Sequence, residues 1–384
     1  MYEHQGLHDI FFIMLYGWAG MLAILACFYF LFSRGNLFSS NNTPPRVLRH
    51  WAAAFMASVA LSHVWWYVLG LHFLVEDRLE RNIVAITLDR LTFVPLMMCV
   101  LIRMLQDRRR PLWPVAIAFM PIAVIAIVCI ITRNDVFELI TEFYSMLVGL
   151  VFIIYYVRAV RQYGRWLLNN YADLERKELW QSLLLLAIIL LTYIAYTSNE
   201  GALATEYLAQ VNTIVIICFI LWRVETLQQL EPKTEDIIED TIADSFGNDE
   251  TIDFKSIAIP DNIPEKLEKL CVVKQLYLQH DLTLQQLATD IGTNRTYLSS
   301  YFAQQDITYN TYINRLRIDH FIRLYSESIA SSQSFTAMQL AKQSGFYSYS
   351  TFSAAFKKYM GYTVSAWMIL QETGRNNISE VPLK

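Results

Sequence analysis

LATDIGTNRTYLSSYF, from Leu287 to Phe302, and LAKQSGFYSYSTFSAAF, from Leu340 to Phe356, are two copies of one pattern set just over fifty residues apart. In the first copy Leu287 and Ile291 share one helical face, Ala288 permits close approach of a second helix, and Gly292 supplies a turn. Leu298 and Phe302 then anchor the helix that follows. In the second copy Leu340, Ala341, Gly345, Phe352 and Phe356 take those places, with one extra residue in the turn. This spacing predicts a tandem pair of helix-turn-helix units, each with a polar outer face on its second helix suited to the major groove of double-stranded DNA.

Between the copies lies YNTYINRLRIDHFIRLY, Tyr309 to Tyr325, with apolar Ile313, Leu316, Phe321 and Leu324 and interspersed Arg315, Arg317 and Arg323. It reads as a helix joining two heads, whose separation it would fix against successive major grooves about 34 Å apart. The segment from about Pro264 to Trp367 resembles the DNA-binding domain of the AraC/XylS transcription regulators. The resemblance is carried by the tandem units, by NRLRI (Asn314 to Ile318) and by the ending AAFKKYMGYTVSAW (Ala354 to Trp367). It implies sequence-specific promoter binding. Two positions depart from that family's pattern, Asp306 where Gly is usual and Phe321 where a small residue is common, and the family's soluble effector-binding domain is missing.

Base-reading candidates are Asn294, Arg295, Thr296, Tyr297 and Ser300 in the first head and Ser348, Tyr349, Ser350, Thr351 and Ser353 in the second. Arg295 can fork onto guanine, and Asn294 can instead cap its helix. Lys357 and Lys358 fit phosphate contacts, which position a protein without specifying sequence. From Pro260 onward twelve Lys/Arg face ten Asp/Glu. So near-neutral a domain predicts weak nonspecific affinity and binding that needs two chains, as a homodimer, or a membrane-held local concentration.

The chain has 384 residues, is 54% hydrophobic, and has a mean hydropathy of +0.30, with the apolar residues concentrated before Val224. Seven stretches reach the length that a lipid bilayer requires of a spanning helix: approximately 10–32, 47–75, 83–105, 112–131, 136–160, 180–197 and 203–223. Twelve Lys/Arg fall in the odd loops, among them Arg34, Arg108 and Arg165, against three in the even ones. That bias puts the odd loops and the C-terminus in the cytoplasm and the N-terminus outside. No Lys or Arg precedes the first apolar stretch, so that stretch reads as a retained span of a multi-pass inner-membrane protein. The five cysteines have no CxxC pair and no His at ligand spacing, and read as small buried hydrophobes.

The expected fold is therefore all-α. A seven-helix membrane bundle (1–223) leads through an acidic linker (224–259) with net charge of about −8 to the tandem helix-turn-helix domain (260–370) and a tail (371–384). Intramembrane polar residues are functional candidates. On this topology His63, Asp89, Arg90, Glu138, Glu142, Asn199, Glu206 and Asn212 all fall toward the outer halves of their spans, with Trp65, Trp66 and Tyr67 as walls of a candidate cavity for a small-molecule or envelope signal. An aromatic belt and a structural Asp89–Arg90 pair account for the same residues. No phosphate loop, HExxH or GxSxG motif occurs, so neither an enzyme nor a cofactor is implied and no metal set is expected. The reading is a membrane-embedded one-component transcription regulator, with a transporter or receptor bundle fused to a regulator, or a passive anchor, as the alternatives.

Overall fold

The computed structural model describes residues 7–38, 44–69, 78–132, 136–175, 177–198, 203–230, 259–331 and 334–379. Among these the architecture is helical, with one isolated antiparallel bridge between Tyr171 and Thr283. The chain divides into two compact units. One holds residues 1–163 and 176–240, the other 164–175 and 241–384.

The first unit contains α1 (Leu7–Phe32), α2 (Arg46–Val68), α3 (Arg78–Met104), α4 (Trp113–Thr132), most of α5 (Val136–Asn170), α6 (Trp180–Ser198) and α7 (Leu203–Thr226). Consecutive helices α1 to α4 pack side by side, and α7 returns against α1, α2 and α6. Small residues set the closest approach: Ala19, Ala23 and Ala26 of α1 are buried, as are Ala52, Ala53 and Met56 of α2. Many large apolar side chains point the other way. Trp18, Phe32, Met120, Ile131, Phe143 and Leu191 are each more than 60% exposed. Four of the described helices are long and apolar enough to cross a membrane, over Ile10–Phe32, Val84–Met104, Leu139–Asn170 and Glu206–Thr226. α4 and α6 carry shorter apolar runs, over Trp113–Cys129 and Trp180–Leu191. α2 is not among them, so four of the described helices, against the seven spans expected, meet that standard.

Polar ties gather where the odd loops meet the end of α7. Glu225 pairs with Arg49 at 3.1 Å and accepts from the Tyr29 hydroxyl at 3.0 Å, while Asn36 donates to its carbonyl. Arg223 donates to the Glu178 carbonyl, and Leu230 N donates to Gln106 Oε1. Val224, Leu227 and Leu230 are buried. Val224 therefore belongs to α7, and Leu227 and Leu230 pack beyond its end, within the stretch read as linker. Residues 231–258 lie outside the described residues.

The second unit opens with α8 (Ile263–Lys266), which runs on as a π-helical stretch through Leu267–Val273, and a 3-10 turn at Leu276–Leu278. The first head is α9 (Leu284–Asp290) and α10 (Arg295–Gln304). α11 (Tyr309–Ala330) joins it to the second head, α12 (Ala337–Gln343) and α13 (Tyr349–Met360), and α14 (Val364–Ser379) closes the unit. The repeat extends to the caps: Thr283 with Gln286, and Thr336 with Gln339, each form a reciprocal capping box at the start of a scaffold helix. Leu287, Leu298, Phe302 and Ile313 centre one core, and Phe321, Phe352, Phe356 and Trp367 the other. Cys271 sits in the first core, where burial pushes its thiol up to about 12, so it behaves as a small apolar residue.

The extra residue of the second turn is explained by packing. Phe346 is buried against Phe352, whereas the first turn passes directly from Gly292 through Thr293 to the cap at Asn294. Both turn glycines are left-handed, Gly292 at φ +65 and Gly345 at φ +89. They differ in space: a β-carbon on Gly345 would stand 2.8 Å from Leu278 Cα, whereas at Gly292 the nearest atom is the Lys266 ammonium at 3.9 Å. Asp306 also adopts a positive φ of 53, the conformation for which Gly is suited.

Gly292→Ala is expected to cost about 1 kcal/mol through backbone strain alone. Gly345→Ala should cost several times more, because backbone atoms must move as well. Thermal unfolding of the two variants ranks them, and equal losses would contradict the packing described. Asp306→Gly should leave stability intact, and Asp306→Val should lower it by about 1–2 kcal/mol.

Candidate nucleic-acid interface

The N-termini of α10 and α13 are where a helix-turn-helix presents side chains to base edges. Asn294 is exposed and its Oδ1 accepts from Tyr297 N at 2.8 Å, so it caps α10. Ser348 caps α13 in the same way, accepting from Thr351 N at 3.3 Å. Tyr349 and Ser350 are exposed, and Thr296, Thr351 and Ser353 are half-buried. Tyr297 is half-buried against the first core. Ser300, expected on the outer face, is instead fully buried, because its position on α10 turns toward the scaffold. Lys357 and Lys358 are exposed in the last turn of α13, where a cation also complements the helix dipole.

Two of these side chains are engaged within the unit. Arg295 Nε donates to Asn170 Oδ1 at 3.1 Å, and the Thr351 hydroxyl donates to Glu175 Oε2 at 3.3 Å. Asn170 and Glu175 come from the stretch between α5 and α6 that the sequence places in a cytoplasmic loop of the membrane half. In the structure it belongs to the second unit.

What aligns the heads was not evident from the repeat. Arg317 of the NRLRI motif is wholly buried. Its Nε donates to the Tyr277 carbonyl at 2.7 Å, Nη2 to the Gln279 carbonyl at 2.9 Å, and Nη1 to Asp173 Oδ2 at 3.3 Å. Its guanidinium lies 5.6 Å from the centre of the Phe346 ring. His280 Nδ1 meets the Gly345 carbonyl at 3.1 Å. Residues 277–280 therefore bind both the joining helix and the turn of the second head. The nearby His320 Nδ1 stands 2.9 Å from the Tyr277 hydroxyl, and burial lowers its pKa from the usual value of 6.5.

Residues 287–368 match the family model described as "Helix-turn-helix domain". The C-terminal region is a helix-turn-helix DNA-binding domain, and the match spans both heads and the helix between them. Domains of this family bind double-stranded DNA and are generally not enzymatic. No curated protein and no solved structure matches the chain.

In the first unit, the structure brings His63, Asp89 and Glu206 around one cavity of about 310 Å³, together with Phe12, Tyr16, Ser62, Trp66, Phe93 and Gln210. Asp89 Oδ2 accepts from Trp66 Nε1 at 2.7 Å, and His63 Nε2 meets Gln210 Oε1 at 3.1 Å. The Tyr16 hydroxyl donates to the His63 carbonyl at 2.8 Å. Arg90, Glu142 and Asn212 do not line this cavity, nor do Trp65 and Tyr67. The Glu138 side chain and Asn199 lie outside the described residues. Gln210 and Tyr16 escaped the sequence reading because an amide and a phenol at single helical positions carry no distinctive spacing.

Replacing the cap, Asn294→Ala, should cost about 1 kcal/mol of stability. Lys358→Ala should instead leave stability unchanged, weaken all duplexes alike and reduce the salt slope of binding by about 0.9. Calorimetric unfolding and salt titration of DNA affinity separate the two effects.

Proposed function

We propose that this protein is a membrane-embedded one-component transcription regulator, in which a seven-helix bundle receives a signal and the tandem heads read a promoter. The observation that carries the reading is the join, in one chain, of an AraC-type DNA-binding domain to a unit whose large apolar side chains face outward. A surface of Trp18, Phe32, Phe143 and Leu191 far exceeds what a water-facing protein displays, and hydrocarbon is the environment that suits it. The arginine bias of the odd loops supports a cytoplasmic location for the heads.

The signal enters at the cavity around His63, Asp89 and Glu206. Two carboxylates beside Tyr16, Trp66 and Phe93 suit a small organic cation, which gains both charge pairing and contact with aromatic faces. A passive anchor fits less well, because residues 164–175, inside the membrane half of the sequence, are part of the DNA-binding unit.

Genome-wide mapping of DNA bound by the full chain in its native host should recover discrete promoters, and a tag at the C-terminus should resist protease applied to intact cells. Cleavage from outside would overturn the topology, and unenriched DNA the regulator. Asp89→Asn should abolish the transcriptional response to signal while leaving promoter occupancy measurable. Glu142→Gln, outside the cavity, should respond normally, and equal effects of both would remove the cavity from the reading.

A further inference from the structure

Residues Gly164 to Glu175, the last turns of α5 and the start of its connection to α6, pack into the unit that holds both heads. Ala172 is fully buried in the first core, beside Leu282 and Leu284. Its N–H donates to the Leu282 carbonyl at 3.3 Å, and Asn310 Nδ2 donates to the carbonyls of Ala172 at 2.6 Å and Tyr171 at 3.2 Å. Tyr171 and Thr283 face each other in the antiparallel bridge, and Asp173 pairs with buried Arg317. From this base the segment reaches the first turn of each reading helix, through Asn170 to Arg295 and through Glu175 to Thr351.

We propose that residues 164–175 form an intramolecular clasp that competes with DNA for the two reading helices, so that the membrane half governs promoter binding by seating or releasing it. The proposal rests on the reading of this unit as the DNA-binding domain. A major groove about 12 Å wide admits one helix, with no room for a second chain segment across its tip. The bond from Arg295 Nε to Asn170 holds the guanidinium on the segment, away from the extended pose that a base contact requires. The clasp also offers acceptors and acidic oxygens to the reading surface, the chemistry that a nucleic acid would offer in its place. On release Arg317 keeps its bonds to the Tyr277 and Gln279 carbonyls, and water replaces Asp173 at the guanidinium edge that the departing segment uncovers. Because the clasp is continuous with α5 and α6, any displacement of those helices in the bilayer acts on it directly.

The test uses the full chain in lipid nanodiscs and duplexes selected from a random-sequence pool. Paired residues of an antiparallel bridge lie within the span of a disulfide, so Tyr171→Cys with Thr283→Cys locks the clasp. The oxidised variant should bind selected duplexes at least about tenfold more weakly than the same protein after reduction, with the parent chain indifferent to reductant. Asn170→Ala with Glu175→Ala, which leaves the buried Asp173–Arg317 pair in place, should bind about tenfold more tightly than the parent. Should the double cysteine variant misfold, hydrogen exchange on the parent chain decides: the Ala172 amide should lose protection when duplex is added. Equal affinity of locked and reduced protein, or unchanged protection at Ala172, overturns the clasp while leaving the DNA reading intact. If no form of the chain enriches any duplex, the DNA reading falls and the clasp falls with it.

Discussion

A guanidinium sealed from water must have its donors met inside the protein, and Arg317 meets them by drawing three separate pieces of chain together. The 277–279 carbonyls hold one edge, Asp173 holds another, and the Phe346 ring covers the plane. Because Arg317 sits midway along α11, this single side chain relates the first head to the second and both to the α5–α6 connection. Without its bonds the joining helix alone would set the angle between heads, and a 22-residue helix flanked by turns is a weak determinant of angle.

The other unit is organised by the opposite demand. Alanines let its helices approach closely and a few large rings such as Phe55 and Tyr156 fill the interior, while many other large apolar side chains face outward. Polar side chains gather in two places among others. One is the cavity around Asp89, and the other is the set of ties at Glu225, Arg223 and Gln106, where loops meet the end of α7. The second set holds the exit from α7 firmly, with Leu227 and Leu230 packed rather than trailing.

The two heads were legible because their constraints repeat: a small residue at Ala288 and Ala341, a turn at Gly292 and Gly345, an anchor at Leu298 and Phe352. Caps at Asn294 and Thr283 follow from local residue chemistry and could be read at the same level. Ser300 could not, since a serine is equally at home on either face of a short helix. The clasp was hidden for a different reason. Asp173 and Ala172 lie among the basic residues of a loop whose charge argues for the cytoplasm, and nothing in that local composition signals a partner on α11 well over a hundred residues later. The packing of Leu227 and Leu230 follows the i, i+3, i+6 spacing from Val224, a pattern that the acidic content of the same stretch obscures. The full set of seven spans rests on sequence pattern, since α2 buys its burial by packing rather than by hydropathy.

The dependence of Arg317 on Asp173 limits how freely this regulator can be rebuilt by recombination. Heads transplanted onto a foreign sensor would travel without their counter-charge and without the residues that cover their tips. On the proposed clasp, such a hybrid would be deaf to its new input and permanently engaged, unless the short bridge between the fifth and sixth helices were moved along with them.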